Sequence, residues 1–221
     1  MLKGITQAVI LLSVLGAILF GAAGRIDWIM AWAYLIIHLS SIIIILFLGD
    51  LSMLIVRTHK EEKPKRWDVM LVGFSFFFYS PLSFLIAGLD YGRFHWSPPI
   101  PVLIQLLALL VFILGQGIAS WAMIVNKFFI KFVRIQTERG HYVVTDGPYA
   151  YIRHPGYSGT VIAFIFLPIA LSSLWAMIPA VVGGGLFVIR TFLEDQLLQK
   201  ELGGYQKYAS QVRWRLIPGI W

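Results

Sequence analysis

Six long apolar runs leave this chain few ways to fold: Ile5–Gly24, Trp28–Gly49, Val69–Leu89, Pro99–Val125, Gly156–Leu171 and Leu174–Leu193. About 20 apolar residues in a helix span the roughly 30 Å hydrocarbon core of a bilayer. Charged residues make up only 13% of the chain and hydrophobic ones 58%; a soluble domain carries about 25% charged residues. The pattern predicts an all-α, polytopic transmembrane helix bundle with five to six membrane segments and one structural domain overall. Residues 1–125 supply the N-terminal transmembrane helices, and 126–221 form a second region that carries most of the motifs. Ser172 and Ser173 alone separate the last two runs, which points to a helical hairpin whose first arm is short for a full crossing. The first run lacks a small-residue cleavage site and a polar sequel, so it reads as a retained helix rather than a signal peptide.

The net charge of +7 is distributed by topology. One side of the membrane collects Lys3, then Arg57, Lys60, Lys63, Lys65 and Arg66, then Lys127, Lys131, Arg134, Arg139 and Arg153. Arg190, Lys200, Lys207, Arg213 and Arg215 join them, 16 of the 18 basic residues, leaving Arg25 and Arg93 opposite. The positive-inside bias then places both termini and the loop around His154 in the cytoplasm. The basic excess suits anionic lipid headgroups and gives no case for nucleic acid. With no cysteine in the chain, disulfides, thiolate metal sites and a nucleophilic thiol are excluded. No His and acidic residues stand at metal-ligand spacing, so no metal is expected.

Trp28, Trp67, Trp96 and Trp121 lie near expected helix ends, as interfacial aromatics do. Gly183-Gly184-Gly185, inside the last run, reads as close helix–helix contact. His38, beside Ser40 and Ser41 in the second run, reads as one half of an interhelical hydrogen bond. His59, His95 and the Glu61-Glu62-Lys63-Pro64-Lys65 stretch read as solvated loop.

Two constellations concentrate polar chemistry between apolar segments, where ionisable groups usually mark a working site. The first is Thr145-Asp-Gly-Pro-Tyr-Ala-Tyr-Ile-Arg-His-Pro-Gly-Tyr-Ser-Gly159. Gly147-Pro148 makes a turn, and Pro155 suits the first turn of a helix. A helix start beside Arg153, His154 and Tyr rings attracts anions, and the rings attract cations or stack on a purine. An interfacial loop with basic and aromatic anchors accounts for the same residues equally well. The second is Arg190, Glu194 and Asp195, with Arg190 and Glu194 at i and i+4 on one helix face, where they can pair. A snorkelling Arg with an exposed acidic cap is the alternative.

The segments His141-Tyr-Val-Val-Thr-Asp-Gly-Pro-Tyr149, Arg153-His-Pro-Gly-Tyr157, Arg190-x-x-x-Glu194-Asp195, Gly204-Tyr-Gln-Lys-Tyr208 and Arg215-Leu-Ile-Pro-Gly219 resemble the isoprenylcysteine carboxyl methyltransferase family of integral membrane enzymes. The resemblance runs from about Gln136 to Trp221. It implies S-adenosylmethionine as cofactor, in a cytosol-facing C-terminal pocket without a Rossmann domain. By that resemblance Gln136, His141, Tyr142, Val143, Val144 and Tyr149 contact the cofactor. Arg153, His154, Pro155, Gly156 and Tyr157 form the facing wall, Glu194 is a further cofactor contact, and Arg190 is the substrate-side arginine, so that Arg190 and Glu194 carry the reaction. The chain is two residues shorter than the eukaryotic enzymes between Gln136 and His141. The acceptor is lipophilic and enters from the bilayer; carboxylate and amine acceptors both stay open. The compact chain, without a eukaryote-type C-terminal extension, implies a prokaryotic member in the inner membrane. A membrane reductase using NADPH and a non-enzymatic scaffold or transporter are the competing readings.

Overall fold

The structure, a computed structural model, describes residues 2–49 and 65–221, with side chains from residue 6 onward. Seven helices organise it: α1 (Leu2–Ala23), α2 (Ile29–Leu48), α3 (Arg66–Phe94), α4 (Val102–Val125), α5 (Pro155–Ala170), α6 (Met177–Glu201) and α7 (Tyr205–Gln211). Among the described residues no strand forms. In an apolar medium each backbone N–H and C=O must find its partner within the segment, which a helix provides. α1, α2, α3, α4 and α6 are long and apolar enough to cross a bilayer. The protein is therefore an integral, multi-pass membrane protein with five candidate spans.

The sixth apolar run is the exception. α5 has 16 residues, about 24 Å at 1.5 Å per residue, short of a full crossing. Its far end turns through Leu171–Ala176, where Ser173 Oγ donates to Asp90 near the end of α3 (2.5 Å). Its near end starts level with Glu194 of α6, through a Tyr157–Glu194 hydrogen bond. Since α6 continues to Glu201, α5 opens below the rim of the bundle.

α4 and α5 pack backbone to backbone. A Cβ added to Gly115 would lie 2.6 Å from the Gly159 carbonyl oxygen, and one added to Gly159 would collide with the Gly115 carbonyl. Gly115-x-x-x-Ala119 faces Gly159-x-x-x-Ala163, the small-residue spacing that lets membrane helices approach closely. α3 stays helical past Pro81 by widening into a π turn at Phe78–Leu82, which absorbs the missing N–H and the ring's steric demand. The expected glycine contact in α6 is made by Gly183, against the ring of Tyr79, and by Gly184, whereas Gly185 meets open space.

The apolar core gathers Leu15, Leu19, Tyr34, Phe84, Phe112 and Leu167. Gln116 Nε2 donates to His38 Nδ1 (2.9 Å), the interhelical bond expected of that histidine. Trp28 departs from expectation. It is buried (1% exposed) and stacked on Tyr91 (4.4 Å), because the close of α3 folds over the α1–α2 connection. Trp96 and Trp121 are exposed. Arg93 donates to the carbonyls of Ala22 (2.7 Å) and Gly21 (3.1 Å), capping α1 at the end where Arg25 also lies. At the opposite end Lys65 pairs with Glu201. His59 and the 61–64 stretch lie outside the described residues.

Candidate active site

The long connection from α4 to α5 forms one wall of a cleft, and its own polar side chains shape it. Asn126 Oδ1 accepts from the Phe128 N–H (2.9 Å), turning the chain off α4. Gln136, fully buried, donates through Nε2 to the Phe128 carbonyl (2.7 Å) and accepts from Arg139 (2.7 Å). Its backbone N–H donates to His141 Nδ1 (3.2 Å). That bond requires a lone pair on Nδ1, so the proton sits on Nε2, which has no partner among the described residues. Burial, with Arg139 and Arg134 nearby, lowers the His141 pKa to about 4, so the ring is neutral at pH 7. Gly147 (φ 59) opens the 3₁₀ turn Gly147–Ala150 that brings Tyr149 inward. Tyr208 of α7 donates to the Tyr149 carbonyl (2.7 Å).

The facing wall is the His154 turn. The N–H groups of Arg153 and His154 donate to the carbonyls of Trp214 (2.9 Å) and Arg215 (3.0 Å). Ser158 Oγ donates to the Leu216 carbonyl (2.7 Å). The C-terminal segment thus lies against the start of α5. Gly156 lies so close to Phe129 that a Cβ would come within 2.6 Å of its ring.

Two acidic residues of α6 hold the walls together. Asp195, fully buried, accepts through Oδ2 from Gln199 (2.8 Å) and Arg215 (2.9 Å) and through Oδ1 from Tyr205 (3.0 Å). Arg153 Nε lies 3.2 Å from the same Oδ1, an ion pair aligned too poorly for a hydrogen bond, and His154 Nε2 lies at 3.4 Å. The anion beside this helix start is therefore the protein's own Asp195, and the charge of Arg153 is already matched. Burial and the neighbouring Asp195 push the Tyr205 phenol well above its ordinary range, so it stays a hydroxyl donor. Glu194 is different. Its Oε2 accepts from Tyr157 (2.6 Å), while Oε1 has no partner among the described residues.

Arg190 and Glu194 do not pair with each other. Arg190 Nε donates to Asp68 Oδ1 (2.7 Å) and Nη2 to the Lys131 carbonyl (2.9 Å). Its Cζ stands 4.8 Å from the centroid of the Tyr157 ring. A buried guanidinium takes the partner that neutralises it in the apolar interior, and Asp68 reaches it across the α3–α6 contact. Both Arg190 and Glu194 nonetheless meet Tyr157, one turn from His154.

Of the residues expected at the cofactor, His141, Tyr142, Val143, Val144, Tyr149, Arg153, His154, Gly156, Tyr157 and Glu194 line this cleft. Three expected site residues do not line it. Gln136 is buried behind His141, Pro155 starts α5, and Arg190 stands behind Tyr157. Residues not assigned from sequence also line the cleft: Asn126, Phe128, Phe129, Leu198, Tyr205 and Tyr208. Tyr205 and Tyr208 belong to a motif already visible in the sequence, but their role was not. Asp68 had one signal, a lone carboxylate at the start of an apolar run.

A model of the isoprenylcysteine carboxyl methyltransferase family matches residues 106–200. Protein-S-isoprenylcysteine O-methyltransferase B of Arabidopsis thaliana is 32% identical over 143 residues, covering 59% of this chain and 70% of the plant protein. With the helical membrane fold, these matches define an integral membrane methyltransferase. More narrowly, the chain belongs to the isoprenylcysteine carboxyl methyltransferase family. That membership sets aside the reductase and the scaffold or transporter readings. The family match covers α5 and nearly all of α6, and α1 to α3 fall before it.

Proposed function

We propose that this protein transfers a methyl group from S-adenosylmethionine to the carboxylate of a prenylated or similarly lipophilic acceptor, at the cytosolic face of the membrane. The observation that carries the reading is Glu194. One of its oxygens is anchored by Tyr157, and the other is unspent inside a cleft of aromatic rings. The lining fits the cofactor's chemistry: a carboxylate and the faces of Tyr149 and Tyr157 attract a cation, and the His141 Nε2–H is a neutral donor. When bound, S-adenosylmethionine supplies a methyl already activated on a sulfonium. The residues then have to orient the acceptor and exclude water. Glu194 and the tyrosines hold the cofactor side. Arg190, across Tyr157, orients the acceptor carboxylate through charge-assisted hydrogen bonds. A carboxylate with a pKa of about 4 is ionised at pH 7, so the transfer needs no general base.

Purified protein in nanodiscs, given methyl-labelled S-adenosylmethionine and an S-prenyl cysteine with a free carboxylate, should yield a base-labile methyl ester. The same acceptor blocked as its amide should gain nothing. Label on the amine of phosphatidylethanolamine instead would replace the carboxylate reading. Arg190→Ala should lower turnover by about 10²–10³-fold, the usual effect of removing a donor that stabilises the reacting group. Its affinity for S-adenosylmethionine, followed by calorimetry, should stay close to that of the unaltered protein.

A further inference from the structure

Asp68 lies on α3, outside the stretch matched by the family, and is fully buried. Both of its oxygens are used: Oδ1 accepts from Arg190 Nε (2.7 Å) and Oδ2 from the Val133 N–H (2.7 Å). Arg190, 3% exposed, is pinned a second time by the Lys131 carbonyl. Lys131 and Val133 belong to the α4–α5 connection, and Val133 lines the cleft. The carboxylate therefore ties α3 to α6 and to the cleft wall at once. It fixes the guanidinium by its Nε side and leaves Nη1 without a partner among the described residues.

We propose that Asp68 is a positioning residue for the methyl acceptor, holding Arg190 by Nε so that its Nη1 stays available to the acceptor's carboxylate. The inference rests on the methyltransferase reading given above. Two physical consequences follow. A guanidinium held at two points has lost its rotamer freedom before the acceptor arrives, so less ordering is left for binding to supply. Because Asp68 already balances its charge, Arg190 recognises the acceptor by the geometry of a spare donor rather than by surplus positive charge.

A double-mutant cycle on kcat/KM for the prenylcysteine acceptor tests this, with Asp68→Asn, Arg190→Gln and the pair together. Asp68→Asn should lower kcat/KM about tenfold or more, mainly through the acceptor's KM, as expected when a charged hydrogen bond at a binding site is disturbed. Its dissociation constant for S-adenosylmethionine should change less than about twofold, well under the tenfold that 1.4 kcal/mol would give. In the Arg190→Gln background, Asp68→Asn should add almost nothing, because its effect passes through Arg190. Losses that multiply, or a cofactor affinity that falls with the acceptor's, overturn the inference and leave Asp68 a structural residue. Should Asp68→Asn give no folded protein, Asp68→Glu keeps the charge while displacing the guanidinium, and the same cycle is read with it. Turnover by the unaltered protein separates the two ideas. No methyl ester at all sinks the functional reading along with this one, whereas turnover with multiplying losses sinks this one alone.

Discussion

Each end of the bundle buries a carboxylate, and the two are satisfied in opposite ways. At the α5–α6 turn, Asp90 accepts from the Ser97 N–H and from the hydroxyls of Ser97 and Ser173, neutral donors throughout. Around the His154 turn, Asp195 is met by Arg153 and Arg215 as well as by Tyr205 and Gln199. The first arrangement closes a turn and uses both Asp90 oxygens. The second sets two arginines, a phenol and an amide around one carboxylate, and beside it stand groups with capacity to spare: Glu194 Oε1, His141 Nε2 and Arg190 Nη1. On the proposed reading, it is these spare groups lining or bordering the cleft, rather than buried charge as such, that serve a ligand.

That contrast can be broken most sharply at the two aspartates. Asp195→Ala should cost about 3–5 kcal/mol, since it leaves two arginines buried or half-buried without a counterion. Asp90→Ala should cost about 1–3 kcal/mol for its stranded neutral donors. Denaturation in mild detergent measures both; equal losses would mean that the cations around Asp195 contribute nothing special. Next in size is Glu194→Gln. Its amide can still accept from Tyr157, so the fold should hold while affinity for S-adenosylmethionine falls about tenfold, the equivalent of 1.4 kcal/mol. Unchanged affinity would take Glu194 out of the cofactor side.

The smallest effect concerns acid. His141 is held neutral, with a pKa near 4 against an ordinary value near 6.5. In the unfolded chain it takes up its proton first as the pH falls. Its contribution to stability is therefore complete above about 6.5 and is lost progressively toward pH 4. Protonating Nδ1 also removes the bond from the Gln136 N–H. Cofactor affinity should be level from pH 8 to 6.5 and weaken below about 5, with a shallower acid limb in His141→Gln. An identical profile in that variant would assign the acid limb to another group.

The membrane class and the α5–α6 hairpin were legible because apolar run length and turn spacing are local properties. About half of the cleft lining was legible too, because those residues fall in the His141–Tyr149 and Arg153–Tyr157 segments and at Glu194. What could not be read were the partners. Arg190 and Glu194 are spaced to pair on one helix face, yet Asp68, 122 positions away in sequence, takes the arginine. Nothing local to α6 announces that choice, which is settled by how α3 packs on it. Trp28 failed for a similar reason: its place at a helix end suggested lipid contact, while a distant segment, the close of α3, covers it. Gln136, expected at the cofactor, lies outside the cleft lining, its amide spent on the Phe128 carbonyl and on Arg139 in the wall behind His141.

The short α5 gives the reaction its depth. A helix about four residues shy of a full crossing, followed by a turn that bonds to Asp90 through Ser173, sets its first turn within the apolar slab rather than above it. On the proposed reading, a lipophilic acceptor need not be hauled into water for its head to be modified. On that same reading only the polar cofactor has to descend, to a cleft sunk beside the first turn of α5.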